Sequence, residues 1–336
     1  MKLSLNWLKD YVPLDADRAE LAHKLTMAGL EIESIEKAGG DTVFELEVTP
    51  NRADCLSILG LAREVSAVFD LPLREPKIKK HAIPSRKIPI AIADKNDCSA
   101  YLGTLIEGVS VGRSSAHIEQ RISALGIRPI SNLVDISNFC MMESGQPLHV
   151  FDFDRLDGGC IHVRRARKGE KIVTLDGIER DLDPSILIIA DASQPVAIAG
   201  VMGGKHTEVG PQTRNVLLES AYFDPILIRR SVRKLGLGSD SSYRFERGVD
   251  PSGVVTTSNR AAQLILEIAG GKITAAGKAG STLIKKSKPV TLSMDQASAN
   301  IGMPVSTAKM KKLFKKLNFE TVETETGLRV IPPSSR

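Results

Sequence analysis

No run of about 18 consecutive apolar residues occurs in this 336-residue chain, so a membrane-spanning helix is not expected. The first ten residues carry Lys9 and Asp10 where a secretory leader needs an unbroken apolar core, and a cytoplasmic location follows as the expectation. Cysteine is scarce: Cys55, Cys98, Cys140 and Cys160, none in C-x-x-C spacing, which predicts reduced, partly buried thiols rather than a disulfide framework. Cys160 and His162 could share a metal ion, yet zinc needs four well-spaced ligands, so no metal site is expected. A Ser-His-Asp order, a G-x-x-x-x-G-K-[ST] phosphate loop, an H-E-x-x-H pair, internal repeats and low-complexity segments are all missing. What remains is a globular composition, 42% apolar and 25% charged, in a chain too long for one ordinary core. The formal charge of +5 permits a nucleic-acid partner without requiring one.

Hydrophobic periodicity and capping residues suggest the organisation. Asp17, with Glu20 three positions on, predicts a helix start, and Gly29 its stop. Apolar and acidic residues alternate over Leu30 to Glu36 and Thr42 to Val48, predicting two half-buried strands joined at Gly39-Gly40-Asp41. A helix from about Cys55 to Phe69 precedes a Pro- and Lys-rich linker. Further on, Ser115 caps a helix ending at Gly126, Asp176-Gly177 marks a hairpin, and Asp224-Pro225 and Asp250-Pro251 each open a helix. Near the C-terminus two short helices precede two strands. There Met310, Leu313, Phe314 and Leu317 form one stripe, opposite Lys309, Lys311, Lys312, Lys315 and Lys316. That basic side is either solvated or faces RNA or a partner subunit. Strands and helices mix without βαβα regularity, so the expected class is α+β: several domains of mixed sheets with flanking helices, plus a small C-terminal helix–strand domain. The expected boundaries are 1–75, a linker at 76–87, 88–285, and 286–336.

Three distant stretches place small and polar residues at the ends of apolar segments, as the lining of a polar ligand pocket would require. They are Val134-Asp-Ile-Ser-Asn-Phe139 running on to Gly145-Gln-Pro-Leu-His149; Ala199-Gly-Val-Met-Gly-Gly204 with Leu217-Leu-Glu219; and Ser239-Asp-Ser-Ser-Tyr-Arg-Phe-Glu-Arg-Gly248. In order and spacing they resemble the editing domain of the bacterial phenylalanyl-tRNA synthetase β subunit, and the resemblance runs from Met1 to Arg336.

On pattern alone, Glu219 either turns to solvent, pairs with an arginine, or accepts from a ligand, because a carboxylate in an apolar strand is costly to bury unpaired. The resemblance implies the last, as the acceptor of a tyrosine hydroxyl. His149 is structural or part of a site, and the family's G-Q-P-[LM]-H-x-F-D pattern implies that it orients water or the terminal ribose. Ser137 and Asn138 correspond to a Thr-Asn pair, expected near a helix end, that would bond the aminoacyl carbonyl or the hydrolytic water; bonding to backbone is the alternative. Gly200 corresponds to a pocket glycine. Ser239 and Ser241 fall where many relatives carry threonine and alanine. Arg244, Glu246, Arg247 and Asp250 form a charge cluster, read as a salt-bridged network.

The resemblance implies a role in charging tRNA(Phe) together with the synthetase α subunit, hydrolysis of mischarged tyrosyl-tRNA(Phe), and no DNA partner. It implies no cofactor on this portion, with ATP and Mg2+ serving the holoenzyme through the α subunit. The family's inserted tRNA-binding domain near residue 40 has no room here. Its later magnesium-binding, synthetase-like and anticodon-binding segments do not follow Arg336, so the chain is expected to be an N-terminal portion. A non-catalytic assembly module and a free-standing trans-editing hydrolase remain the alternatives.

Overall fold

Ser4 ends strand β1 (Lys2–Ser4) by capping helix α1 (Leu5–Tyr11), its hydroxyl accepting from the Trp7 amide at 3.0 Å. Sequence pattern suggests only an apolar segment there; the helix forms because its turns bury Trp7, Leu8 and Tyr11 together. Asp17 caps α2 (Arg18–Met27) through the Glu20 amide at 2.7 Å, and Gly29, at φ +87°, ends it. Strands β2 (Glu31–Ala38) and β3 (Asp41–Glu47) follow. Helix α3 (Ile58–Val68) starts later than its apolar pattern suggests, because Ala53–Cys55 forms a tight turn and Ser57 is the cap. The computed structural model describes residues 1–82, 84–281 and 287–336.

The middle of the chain runs β4 (Ile90–Ile92), β5 (Cys98–Glu107), α4 (Ala116–Ala124), α5 (Asn132–Ser144), β6 (Leu148–Asp152), β7 (Ile161–Arg165), β8 (Lys171–Val173), β9 (Glu179–Asp181), β10 (Leu187–Ala190), β11 (Pro195–Ile198), β12 (Met202–Gly203), β13 (Asn215–Phe223), α6 (Pro225–Leu235), α7 (Asp240–Phe245), α8 (Gly253–Ile268) and β14 (Lys272–Gly280). Helix α8 begins beyond the expected Asp250-Pro251, because the Asp250 carboxylate closes a turn on the Ser252 amide and hydroxyl instead. Strands β14-β5-β13-β6 form one antiparallel sheet. A second, β12-β11-β10-β7-β4, is antiparallel except for the β4–β7 pair. Tyr101, Leu105, Phe151, Leu217, Ala221 and Phe223 alternate to one face of the first sheet and share a core with Val163, Ile188 and Ile198 of the second. Val216, Leu218 and Ser220 turn the other way, to the face covered by α8 and α5.

The C-terminal part holds β15 (Val290–Ser293), α9 (Met294–Ile301), α10 (Thr307–Lys316), β16 (Glu320–Thr324) and β17 (Gly327–Ile331), in the sheet order β15-β17-β16. Strand β15 lacks a sequence signal, being four residues that only pairing with β17 makes a strand. The chain divides into two compact units, Met1–Pro76 with Leu283–Arg336, and Lys77–Thr282. The first unit is joined by ion pairs: Lys312 and Lys316 to Asp70, and Arg336 to Asp54 and Glu64. Part of the α10 lysine face is thereby spent inside its own unit. The boundary expected at 285–286 lies outside the described residues. The chain is α+β.

Candidate functional site

Antiparallel register brings Glu219 and His149 together. Glu219 on β13 is the direct partner of His149 on β6, and of Gly103 on β5. Directly opposed residues of such a pair put their Cβ atoms about 5 Å apart on one face of the sheet. That face is the one turned into the core between the sheets, and Glu219 is only 6% exposed. Gly103 offers no side chain opposite it, so Tyr101, diagonally placed, reaches across and donates its hydroxyl to Glu219 Oε2 at 2.7 Å. The other carboxylate oxygen has no hydrogen-bond partner among the described residues. Burial pushes the Glu219 carboxyl up to about 7, against the opposing pull of the Tyr101 bond.

His149 stacks edge-on against Phe151 at 4.4 Å between ring centres. Gly203 of β12 closes on it from the second sheet, so near that a Cβ there would stand 2.4 Å from Cε1 and 2.7 Å from Nε2. Desolvation lowers the imidazole to about 4, although the residue keeps an exposed edge whose solvent access opposes the full drop. The ring is therefore neutral at pH 7. Cys98, whose charge would be felt at Glu219, is buried with its thiol pushed far up, so it too is neutral.

Gly200 takes φ +67°, and a Cβ on it would press on Phe245, Ile228 and Phe223 at 3.0–3.2 Å. It is a packing point between the β11–β12 turn and helices α6 and α7. Ser239 caps α7 in a reciprocal box with Ser242, and its hydroxyl donates to the Val201 carbonyl at 2.7 Å. Ser241 Oγ lies 3.6 Å from Met141 Sδ on α5. The structure thus links α5, α7 and the 199–204 turn. Ser137 and Asn138 lie in the middle of α5, not at its end, since the helix continues to Gly145, which caps it at φ +83°. Ser137 donates to the Leu133 carbonyl at 3.0 Å, the backbone bond that was the alternative. Asn138 is half-buried, and its amide has no partner among the described residues. No hydrogen bond among the described residues joins either residue to Glu219 or His149.

Two features were not singled out from sequence. Tyr101 reads as one more apolar position in an alternating strand, and only pairing across 118 residues reveals its partner. Helix α6 carries Ile226, Arg229, Arg230 and Arg233 on one exposed stripe at the i, i+3, i+4, i+7 spacing. Arg229 donates to the Glu246 carbonyl at 2.8 Å, next to Arg247, whose guanidinium lies 3.6 Å above the exposed Tyr243 ring. Arg230 and Arg233 have no partner among the described residues. By contrast, Arg244 of the expected charge cluster is buried, held by Asp240 and Met142, and burial lowers its pKa.

For metals, Asp54, Cys55 and Glu64 are the one group among the described residues whose ligand atoms lie within 4.8 Å of one another. Arg52 and Arg336 already pair with both carboxylates, and burial keeps the thiol protonated, so the set suits arginine better than a cation. Cys160 and His162 stand 3.5 Å apart without a third ligand among the described residues.

A family model of the B3/4 domain matches residues 97–270, just over half of the chain. The phenylalanine–tRNA ligase beta subunit of Moorella thermoacetica is 47% identical over 305 residues, which are 88% of this chain and 37% of that protein. The namesake from Rhodopirellula baltica is 39% identical over 340 residues, 100% of this chain and 50% of that protein. The chain spans half or less of the length of these curated relatives. An N-terminal fragment of the phenylalanyl-tRNA synthetase beta subunit from Pyrococcus horikoshii shares the fold, with a TM-score of 0.54 at 15% identity, covering 100% of this chain and 94% of that one. The chain belongs to the B3/4 domain family, and the relatives that it matches along most of its length are phenylalanine–tRNA ligase beta subunits.

Proposed function

We propose that this chain serves a phenylalanine–tRNA ligase as a beta-subunit portion and that its middle unit hydrolyses tyrosyl-tRNA(Phe). The observation that carries this reading is a buried carboxylate with one oxygen left without a partner, beside a neutral imidazole. Tyrosine exceeds phenylalanine by one phenolic hydroxyl. An apolar synthetic pocket rejects an added hydroxyl by only about 10²-fold. A second pocket that grips the hydroxyl has the opposite bias. Tyrosine donates to Glu219, while phenylalanine leaves the desolvated oxygen unpaired, at a cost of about 1–3 kcal/mol.

Hydrolysis then needs an oriented water and support for the ester carbonyl. His149 is too weak a base to ionise water outright, but its neutral ring accepts and donates hydrogen bonds, which suits it to orienting water or the terminal ribose. The family resemblance assigns the ester carbonyl to the Asn138 amide, with the Ser137 hydroxyl beside it on α5. The family resemblance also carries Gly200, Ser239 and Ser241 into the same pocket, and the contacts of Ser241 with Met141 on α5 and of Ser239 with the Val201 carbonyl support that grouping. With no thiolate or activated serine in the group, water itself is the nucleophile. The arginine stripe of α6, next to the stacked Arg247–Tyr243 pair, supports an approach of the tRNA backbone across this unit. Charging of tRNA(Phe), with ATP and Mg2+, is assigned to the complex with an α subunit. The test is release of tyrosine from purified Tyr-tRNA(Phe), with and without that subunit, against Glu219→Ala. Release that Glu219→Ala abolishes supports the reading, and activity without the α subunit favours a free-standing trans-editing enzyme. Absent release in both settings, with α-subunit binding intact, leaves an assembly module.

A further inference from the structure

Resting on the proofreading reading, we infer that Tyr101 is the positioning residue of the specificity site: its phenol fixes Glu219 Oε2, so that the carboxylate presents its other oxygen to the hydroxyl of the substrate. Position 103 makes this possible. Gly103 stands directly opposite Glu219, and a Cβ there would already press on Ile90 and Leu217 at 3.1–3.2 Å. A larger residue would fill the space that the tyrosine ring crosses to reach its diagonal neighbour on β13. Tyr101 is fully buried in the core between the two sheets, and its hydroxyl donates to Glu219 at 2.7 Å. A carboxylate on its own turns freely about its last bond; this one is pinned.

The groups that face Glu219 are few. They are Tyr101 and Cys98 from β5, His149 from β6, and Gly203 behind the imidazole on the second sheet. No lysine or arginine pairs with it among the described residues. Among the described residues Tyr101 is thus the one hydrogen-bond donor to this buried carboxylate, and it stabilises the ionised form that a phenol-recognising acceptor requires. The arrangement also explains how the carboxylate persists in an empty site. It keeps one charge-assisted hydrogen bond when no substrate is bound, and gains a second, of the same phenol–carboxylate chemistry, when tyrosine enters.

Tyr101→Phe removes one oxygen and keeps the ring. Two readouts apply: the side-chain carboxyl of Glu219 titrated by 13C NMR, and the pH profile of Tyr-tRNA(Phe) hydrolysis by the chain together with its α subunit. We expect the Glu219 titration to move upward by about one unit, the alkaline-rising limb of the profile to move with it, and hydrolysis at pH 7 to fall about fivefold. A fluorinated tyrosine installed at position 101 alone, a stronger donor of nearly equal shape, should move both downward, and it decides the matter if the phenylalanine variant folds poorly. Superimposable titrations across wild type, Tyr101→Phe and the fluorinated form would overturn the role of Tyr101. A wild-type protein without hydrolysis defeats instead the proofreading reading, and the NMR titration still reports on Tyr101 independently.

Discussion

Replacing Glu219 with glutamine isolates what the buried carboxylate costs the fold. In the folded chain this group titrates at about 7 rather than its ordinary 4.5, because burial opposes the charge. At about 1.4 kcal/mol per unit, the difference of about 2.5 units amounts to about 3 kcal/mol. The sign follows from the raised value. Below pH 4.5 the group is protonated in both states and nothing is lost. Between 4.5 and 7 the unfolded chain ionises while the folded one resists, so stability falls as pH rises and levels off above 7. Glutamine stays neutral throughout and still offers Tyr101 an acceptor. His149 titrates with the opposite sense, its folded value near 4 lying below 6.5, so its contribution is complete above 6.5 and is lost on acidification. Present in both proteins, that contribution cancels in the comparison. The assay is urea unfolding of wild type and Glu219→Gln at intervals from pH 4 to 8.5, with amide exchange of β13 to assign the transition to the middle unit. Glutamine should become the more stable by about 3 kcal/mol on going from pH 4 to pH 8. A difference that stays constant across that range would refute the claim that Glu219 is desolvated.

Other perturbations reach the remaining parts of the site. Gly203→Ala puts a methyl group into the imidazole of His149 and should lower Tyr-tRNA(Phe) hydrolysis by at least about tenfold while tyrosine binding at Glu219 persists, read as kcat against KM. Gly200→Ala strains a left-handed residue packed on Phe245 and should destabilise the middle unit by about 1–3 kcal/mol, visible as a lower Tm. Substituting Arg230 and Arg233 together by alanine should weaken tRNA binding without sequence preference and flatten the salt dependence by roughly 1.4 in log–log slope, measured by filter binding from 50 to 200 mM salt.

Local chemistry made much of the fold legible. Asp17, Ser115 and Asp224 cap helices as their positions suggest, and Gly177 turns the β8–β9 hairpin. Each is a short-range hydrogen bond or dihedral requirement that a few residues determine alone. Elements set by distant partners were not legible. Strand β15 exists through β17, and α8 starts late because Asp250 spends its carboxylate on a turn. The same division runs through the site. Glu219 could be singled out as an acid among apolar neighbours, but its donor is Tyr101, far away in sequence, and the register that sets His149 beside it belongs to the sheet. Ser137 and Asn138 stand out by residue type, whereas their mid-helix location and the occupied hydroxyl of Ser137 depend on where α5 stops.

The two-part make-up of the first unit bears on how the chain is born. Its opening segment, through Pro76, and its closing segment, from Leu283, are joined by Arg336 reaching Asp54 and Glu64 and by two lysines on Asp70. At a ribosomal pace of about 5–20 residues per second, the intervening stretch delays that union by roughly 10–40 s. The middle unit, continuous in sequence, can complete its two sheets during this wait. The nascent N-terminus meanwhile holds Asp70 without its two lysines, and Asp54 and Glu64 with Arg52 alone before Arg336 arrives, an interval in which a chaperone would find it open.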